Sequence, residues 1–201
     1  WRRLYSTLAQ RQADAPPDLR IALGVRMARI AETKMDNPDR AVETWKRVLG
    51  WAPDHAEALQ ALPAIYERTG KWNALLEFLN GRVARLSDAD VDEKVQLLRQ
   101  VVEIYGAPDK LNLPEMVIHT YNRILQIVPN DTVALDALCK RYEEAGRWSE
   151  LIDVLQQKAT NAPNDADRIA ILLSVAGLWR DNVRNPSRAI APLEAVLDID
   201  P

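Results

Sequence analysis

A 27-residue stretch occurs twice in this chain. Residues 53–79 (PDHAEALQALPAIYERTGKWNALLEFL) and 129–155 (PNDTVALDALCKRYEEAGRWSELIDVL) align without a gap and are identical at eleven positions. Internal similarity at this level marks a repeat architecture, in which each copy is one supersecondary unit that cannot bury its apolar face alone. Within the first copy, Ala58, Leu59, Leu62 and Tyr66 fall at helical spacing, so one face of a first helix is apolar. Asp54 with Glu57 has the spacing of a capping box at its start. Gly70 suits the left-handed residue that ends it. Trp72, Leu75, Leu76 and Leu79 form the apolar stripe of a second helix. Two helices joined by so short a turn lie antiparallel.

A proline that closes each unit sets the frame. It recurs as Pro16, Pro53, Pro129, Pro163 and Pro201, with Ser87 in the one missing slot, at intervals of 37, 34, 42, 34 and 38 residues. Short units carry Gly-x-Trp between their helices, and long units carry extra residues there. The frame predicts a second helix alone in 1–16, then repeats over 17–53, 54–87, 88–129, 130–163 and 164–201. On this reading the chain is a piece of a longer array, and its uncapped ends favour end-to-end self-association.

The long units follow the same logic. Leu23, Met27, Ala28 and Ala31 face inward on one first helix, and Ala41, Val42, Trp45, Val48 and Leu49 on the helix that Asn37-Pro38 opens. That pattern returns 148 residues later as Ala189, Ile190, Leu193, Val196 and Leu197 after Asn185-Pro186, opposite Leu172, Val175, Ala176 and Trp179. In the middle unit, Leu98, Val101, Val102 and Tyr105 oppose Val117, Tyr121, Ile124 and Leu125 across the longest turn, residues 106–114, with Pro114 near the second helix start. That turn is either a plain insertion or a second contact point. Pro63 and Pro192 fall inside helical patterns and predict kinks. Trp45, Trp72, Trp148 and Trp179 read as core, and Trp51 as a surface aromatic.

The repeated residues resemble the tetratricopeptide repeat (TPR) family. Leu59, Leu62, Tyr66 and Gly70, and again Leu135, Leu138, Tyr142 and Gly146, occupy that family's signature positions. Pro63 and Cys139 replace its small residue, and Leu75 and Leu151 its alanine. The resemblance implies an all-α, right-handed superhelical solenoid of antiparallel helix pairs. It also implies a non-enzymatic scaffold that binds a protein or peptide segment on a concave surface made by the first helix of each pair. The groove positions are Ala22, Val25, Arg29, Glu32 and Thr33, then Glu57, Gln60, Ala64, Glu67 and Arg68. Next come Gln96, Arg99, Glu103 and Gly106, then Val133, Asp136, Lys140, Glu143 and Glu144. Ala170, Leu173, Gly177, Arg180 and Asp181 complete the set. The densest acidic point is Asp136 with Glu143 and Glu144, which suits a basic or mixed-charge partner. The Lys and Asn of chaperone-binding family members are absent from Val25/Arg29, Gln60/Ala64 and Asp136/Lys140. The alternatives are a structural spacer, a self-assembly segment, or a regulatory arm of a larger protein.

Other classes find little support. The 26 basic and 29 acidic residues give a net charge of −3, and the pI near 5.5 with no basic stripe argues against nucleic acid. No apolar run reaches the roughly 20 residues of a membrane span. The single cysteine, Cys139, excludes an intramolecular disulfide. His55 at a helix start reads as solvated, and His119 lies between inward positions, so no metal set is expected. No phosphate loop or nucleophile elbow is present, and neither cofactor nor catalytic residue is expected.

Overall fold

The computed structural model describes all residues, Trp1–Pro201. The chain is all-α and divides into two compact units, Trp1–Gly81 and Arg82–Pro201.

The first unit holds α1 (Arg2–Ala13), α2 (Pro17–Thr33), α3 (Pro38–Trp51), α4 (Ala56–Arg68) and most of α5 (Trp72–Arg85). Pro17 and Pro38 start their helices, where a missing N–H costs nothing. The Asn37 side chain accepts from the Arg40 amide at 2.9 Å and caps α3. α1 packs on α2, α2 on α3 and α3 on α4. α2 and α3 are antiparallel, since Trp51 at the end of α3 meets Gly24 and Arg20 near the start of α2. The core is Met27, Ala28, Ala31, Trp45, Val48, Leu62 and Tyr66, all buried.

The second unit holds the end of α5, then α6 (Val91–Gly106), α7 (Pro114–Ile127), α8 (Thr132–Glu144), α9 (Trp148–Thr160), α10 (Asp165–Gly177) and α11 (Ile190–Leu197). From α6 onward, each helix packs on the next. Lys158 at the end of α9 pairs with Asp136 at the start of α8 at 2.5 Å, so these two also run antiparallel. Apolar clusters sit between successive helices: Leu98, Ile124 and Ala134; Leu135, Leu138, Tyr142 and Leu151; and Ile152, Val175, Ala176 and Trp179.

The two sequence copies fold alike. α4 and α8 each span 13 residues, and Gly70 and Gly146 take left-handed φ values of 64° and 65° after them. Within each unit the chain thus forms TPR-like helix pairs. The two outer long units also share a turn: Asp36 and Arg184, 148 residues apart, both lie in the left-handed region at 47° and 57°.

Several sequence expectations are corrected. The N-cap of α4 is His55, not Asp54: its Nδ1 accepts from the Ala58 amide at 3.3 Å. Asp131 does the same for α8 at 2.8 Å. His55 is half-buried rather than solvated, with its ring 6.4 Å from that of Trp45. Trp72 and Trp148 are half-buried, not core. Each is the first residue of its helix; Trp148 packs against the edge of the Leu135, Leu138, Tyr142 and Leu151 cluster, and a Cβ on Gly146 would lie 3.9 Å from its ring. At the end of α6, Ile104 is buried beside Val101 and Val102, while Tyr105 is half-buried.

The prolines differ in outcome. α4 continues through Pro63. Pro192 instead falls in the first turn of α11, and the preceding Pro186–Ala189 is a 3-10 segment. Pro192 has no N–H for the Arg188 carbonyl and its ring crowds that carbonyl, which disfavours an earlier α-helical start. Ile190, Leu193 and Leu197 are exposed rather than inward, at 55, 43 and 61%.

Candidate functional site

The groove positions lie on α2, α4, α6, α8 and α10, with Arg180 and Asp181 in the turn after α10, and most are exposed. In the first unit, the Arg29 guanidinium of α2 forks onto the Glu57 carboxylate of α4 with two bonds of 2.5 Å. Arg68 of α4 approaches Glu32 of α2 at 3.8 Å. Four of the proposed contact residues are therefore engaged with each other, and Gln60, Ala64 and Glu67 lie on α4 beside them.

The hydrogen bond from Arg29 holds the Glu57 carboxyl below the usual carboxylate range, against the opposing effect of partial burial. Because the folded value is the lower one, the pair stabilises above the unfolded carboxylate value of about 4 and is lost as the pH falls through the folded value. Glu57→Gln should lower the melting temperature slightly at neutral pH, within the small effect of an exposed ion pair. The two melts should converge below the carboxylate range; a gap that persists in acid would show that Glu57 stabilises by packing.

In the second unit, Arg99 of α6 reaches Asp131, the cap of α8, at 2.7 Å. Down α8, Val133 is 51% exposed. Asp136 bonds Lys158, while Glu144 takes Arg141 at 3.2 Å and Lys140 at 4.0 Å. The expected acidic point is therefore largely neutralised, and Glu143 is the member without an ion pair. On α10, Leu173 is 48% exposed and Gly177 half-buried. Arg180 and Asp181 pair with each other at 2.7 Å within a π-helical turn, Leu178–Asn182. That turn breaks the helical register, so these two do not continue the α10 face.

The residues that do converge form an open cleft of about 560 Å³ in the second unit. Its walls are the end of α6, the turn 107–113, the start of α7 and the middle of α8. Val102, Val117, Ala137 and the Tyr121 side chain make it apolar, and Glu103, Asp109, Lys110, Lys140 and Arg141 bring both charge signs. The turn is tied back by Leu113 N–H to the Tyr105 carbonyl at 2.7 Å, with Asn112 at φ 50°. Burial pushes the Tyr121 phenol up, partly offset by Arg141 and Arg99, so it stays a neutral donor. Glu103, Gly106 and Lys140 are groove positions in the sequence, and Asp109 and Lys110 lie in the turn read as a plain insertion or a second contact point; Arg141 is not singled out there, because only the fold sets the turn and α8 around one hollow.

The remaining reactive groups are arranged for structure. Burial pushes the half-buried Cys139 thiol up, away from the nucleophilic thiolate. His119 is exposed on α7. No three His, Cys, Asp or Glu side chains converge on a point. No helix is long and apolar enough to cross a membrane.

These features define an all-α protein of TPR-like helix pairs with an open mixed-charge cleft. No family model and no curated protein sequence matches the chain. Among solved structures, the chain is similar to the MamA protein at 19% identity, covering 90% of this chain and 91% of that one with a TM-score of 0.35. It is similar to MamA (41-end) from Desulfovibrio magneticus RS-1 at 12%, covering 90 and 94% with a TM-score of 0.36. The thermophilic TPR protein TTC0263 of Thermus thermophilus matches at 14%, covering 89 and 100% with a TM-score of 0.31.

Proposed function

We propose that the chain is a non-enzymatic interaction module that holds an extended segment of another protein on its first-helix surface. The second unit's cleft serves as the anchor. The observation that carries this reading is the cleft itself: an apolar hollow rimmed by Glu103 and Asp109 as its acids and by Lys110, Lys140 and Arg141 as its cations. Recognition pockets of this kind are concave, mainly apolar, and oriented by a few polar groups. An apolar side chain with an acidic and a basic neighbour would suit it. Because Asp136 and Glu144 are already paired, the partner is mixed in charge rather than simply basic. Exposed Val133 and Leu173 add apolar contact, while exposed charges set rate and selectivity more than affinity.

The test fills the cleft. Peptides selected from a random displayed library on the whole chain should bind Ala137→Trp more weakly by about tenfold or more, the loss of one anchoring pocket. The variant's melting temperature should stay close to the parent's, since Ala137 borders open space. Equal binding by a folded Ala137→Trp protein would place the contact elsewhere.

A further inference from the structure

The two sequence copies begin their first helices with the same backbone and with different chemistry. At an offset of 76 residues, Asp131 stands where the first copy has His55, and Ala134 where it has Ala58. Both cap residues take φ −65° and ψ 105°, and each side chain accepts a hydrogen bond from the amide three residues on. Ala58 and Ala134 are both fully buried, so an amide that loses its cap there has little water to bond instead. Histidine lies outside the usual set of capping residues, whereas aspartate belongs to it.

The two acceptors respond differently to protons. A carboxylate keeps its lone pairs down to about pH 4, whereas an imidazole ordinarily takes up a proton around pH 6.5. His55 accepts through Nδ1 at 3.3 Å, which only the neutral ring with its hydrogen on Nε2 can do. A second proton turns Nδ1 into a donor facing a donor. It also sets a positive charge at the positive end of the α4 dipole. The charged groups around the ring are Asp54 beside it in the chain, Glu57 on α4, and Arg29 of α2, which forks onto Glu57. From α3 the ring meets uncharged Trp45, 6.4 Å away. The Glu57 carboxylate favours the imidazolium, but it is shared with Arg29 and cannot restore an acceptor at Nδ1.

We propose that His55 is a proton-controlled cap: mild acid opens the first turn of α4 and leaves α8 capped. The bond stabilises the helix start at pH values above the titration of the ring, and is lost as the pH falls through it. Glu57 lies in the turn that opens, so the fork that joins α2 to α4 loosens with it. This device stands apart from the cleft and does not depend on it.

The test follows amide exchange of the whole chain by NMR at about pH 7.5 and about pH 5, a window that spans imidazole titration and stays above that of carboxylates. Protection factors divide out the intrinsic pH dependence of exchange. The factor of Ala58 should fall by about fivefold or more on acidification, the loss of one cap, while that of Ala134 holds. In His55→Asp, which copies the second cap, both should hold. The melting temperature of His55→Asp should exceed the parent's by a margin that widens as the pH falls. The other histidine, His119, is exposed on α7 and common to both proteins, so the comparison isolates His55. Ala58 protection that stays constant in the parent, that falls together with Ala134, or that still falls in His55→Asp would overturn the proposal. So would a melting difference independent of pH, or a neutral ring found with its hydrogen on Nδ1.

Discussion

Trp45→Ala should be among the most damaging single substitutions in residues 1–81, costing about 3–5 kcal/mol, the usual range for deleting a fully buried tryptophan. Trp45 is 1% exposed on α3, in a core with Met27, Ala28 and Leu62 that are themselves fully buried. Little of that loss is hydrogen bonding, because the buried indole Nε1 has no partner. Trp45→Phe should therefore retain much of the stability that Trp45→Ala loses. Trp148→Ala is the matched comparison: its ring is half-buried along the Gly146 turn, and its loss should be about 1–2 kcal/mol. Chemical denaturation of the three variants checks the order. A larger loss from Trp148→Ala than from Trp45→Ala would contradict the packing described for both units.

The second large effect is expected at Gly24, inside α2. Two effects oppose each other in Gly24→Ala. Alanine is favoured over glycine in a helix interior by about 1 kcal/mol. Its Cβ, however, would stand 2.9 Å from both Gln12 Nε2 and Val48 Cγ2, and 3.3 Å from Trp51 Cζ3. Gln12 can yield only by loosening its 2.9 Å bond to the Arg20 carbonyl, and Val48 is fully buried. Overpacking of this kind costs about 1–3 kcal/mol, so Gly24→Ala should be neutral to destabilising. Gly24→Leu adds three further carbons where no helix gain remains, and should cost more than about 3 kcal/mol by the same effect. The melt should drop in that order; a stabilised Gly24→Leu would mean that α1, α2 and α3 are not in close contact there.

The repeat carried most of the fold. Eleven shared identities and the two Gly-x-Trp turns mark α4 with the start of α5, and α8 with α9, because helical periodicity and turn chemistry are local properties. What escaped was decided by tertiary context. Asp54 has the better capping chemistry, yet His55 stands one residue nearer the helix and caps it while its ring meets Trp45. Trp72 and Trp148 share an apolar stripe with buried leucines, but the first residue of a helix lies at the edge of its hairpin. Nothing in the sequence near Gly24 announces that three helices meet on it. The site divides in the same way. Exposed positions on α8 follow from helical spacing, whereas the pairing of Asp136 with Lys158 joins residues 22 apart on different helices. The cleft depends on a turn folding back against α8, which no local pattern encodes.

The central claim is that a protein segment binds the first-helix surface of the second unit at the cleft. Amide hydrogen exchange on the whole chain, with and without a selected peptide, tests it most directly. The account predicts added protection in the last turn of α6, in residues 107–113, in the first half of α7 and in the middle of α8, with α9 unchanged. Protection confined to α9 and α10, with the cleft amides exchanging as in the free protein, would contradict it.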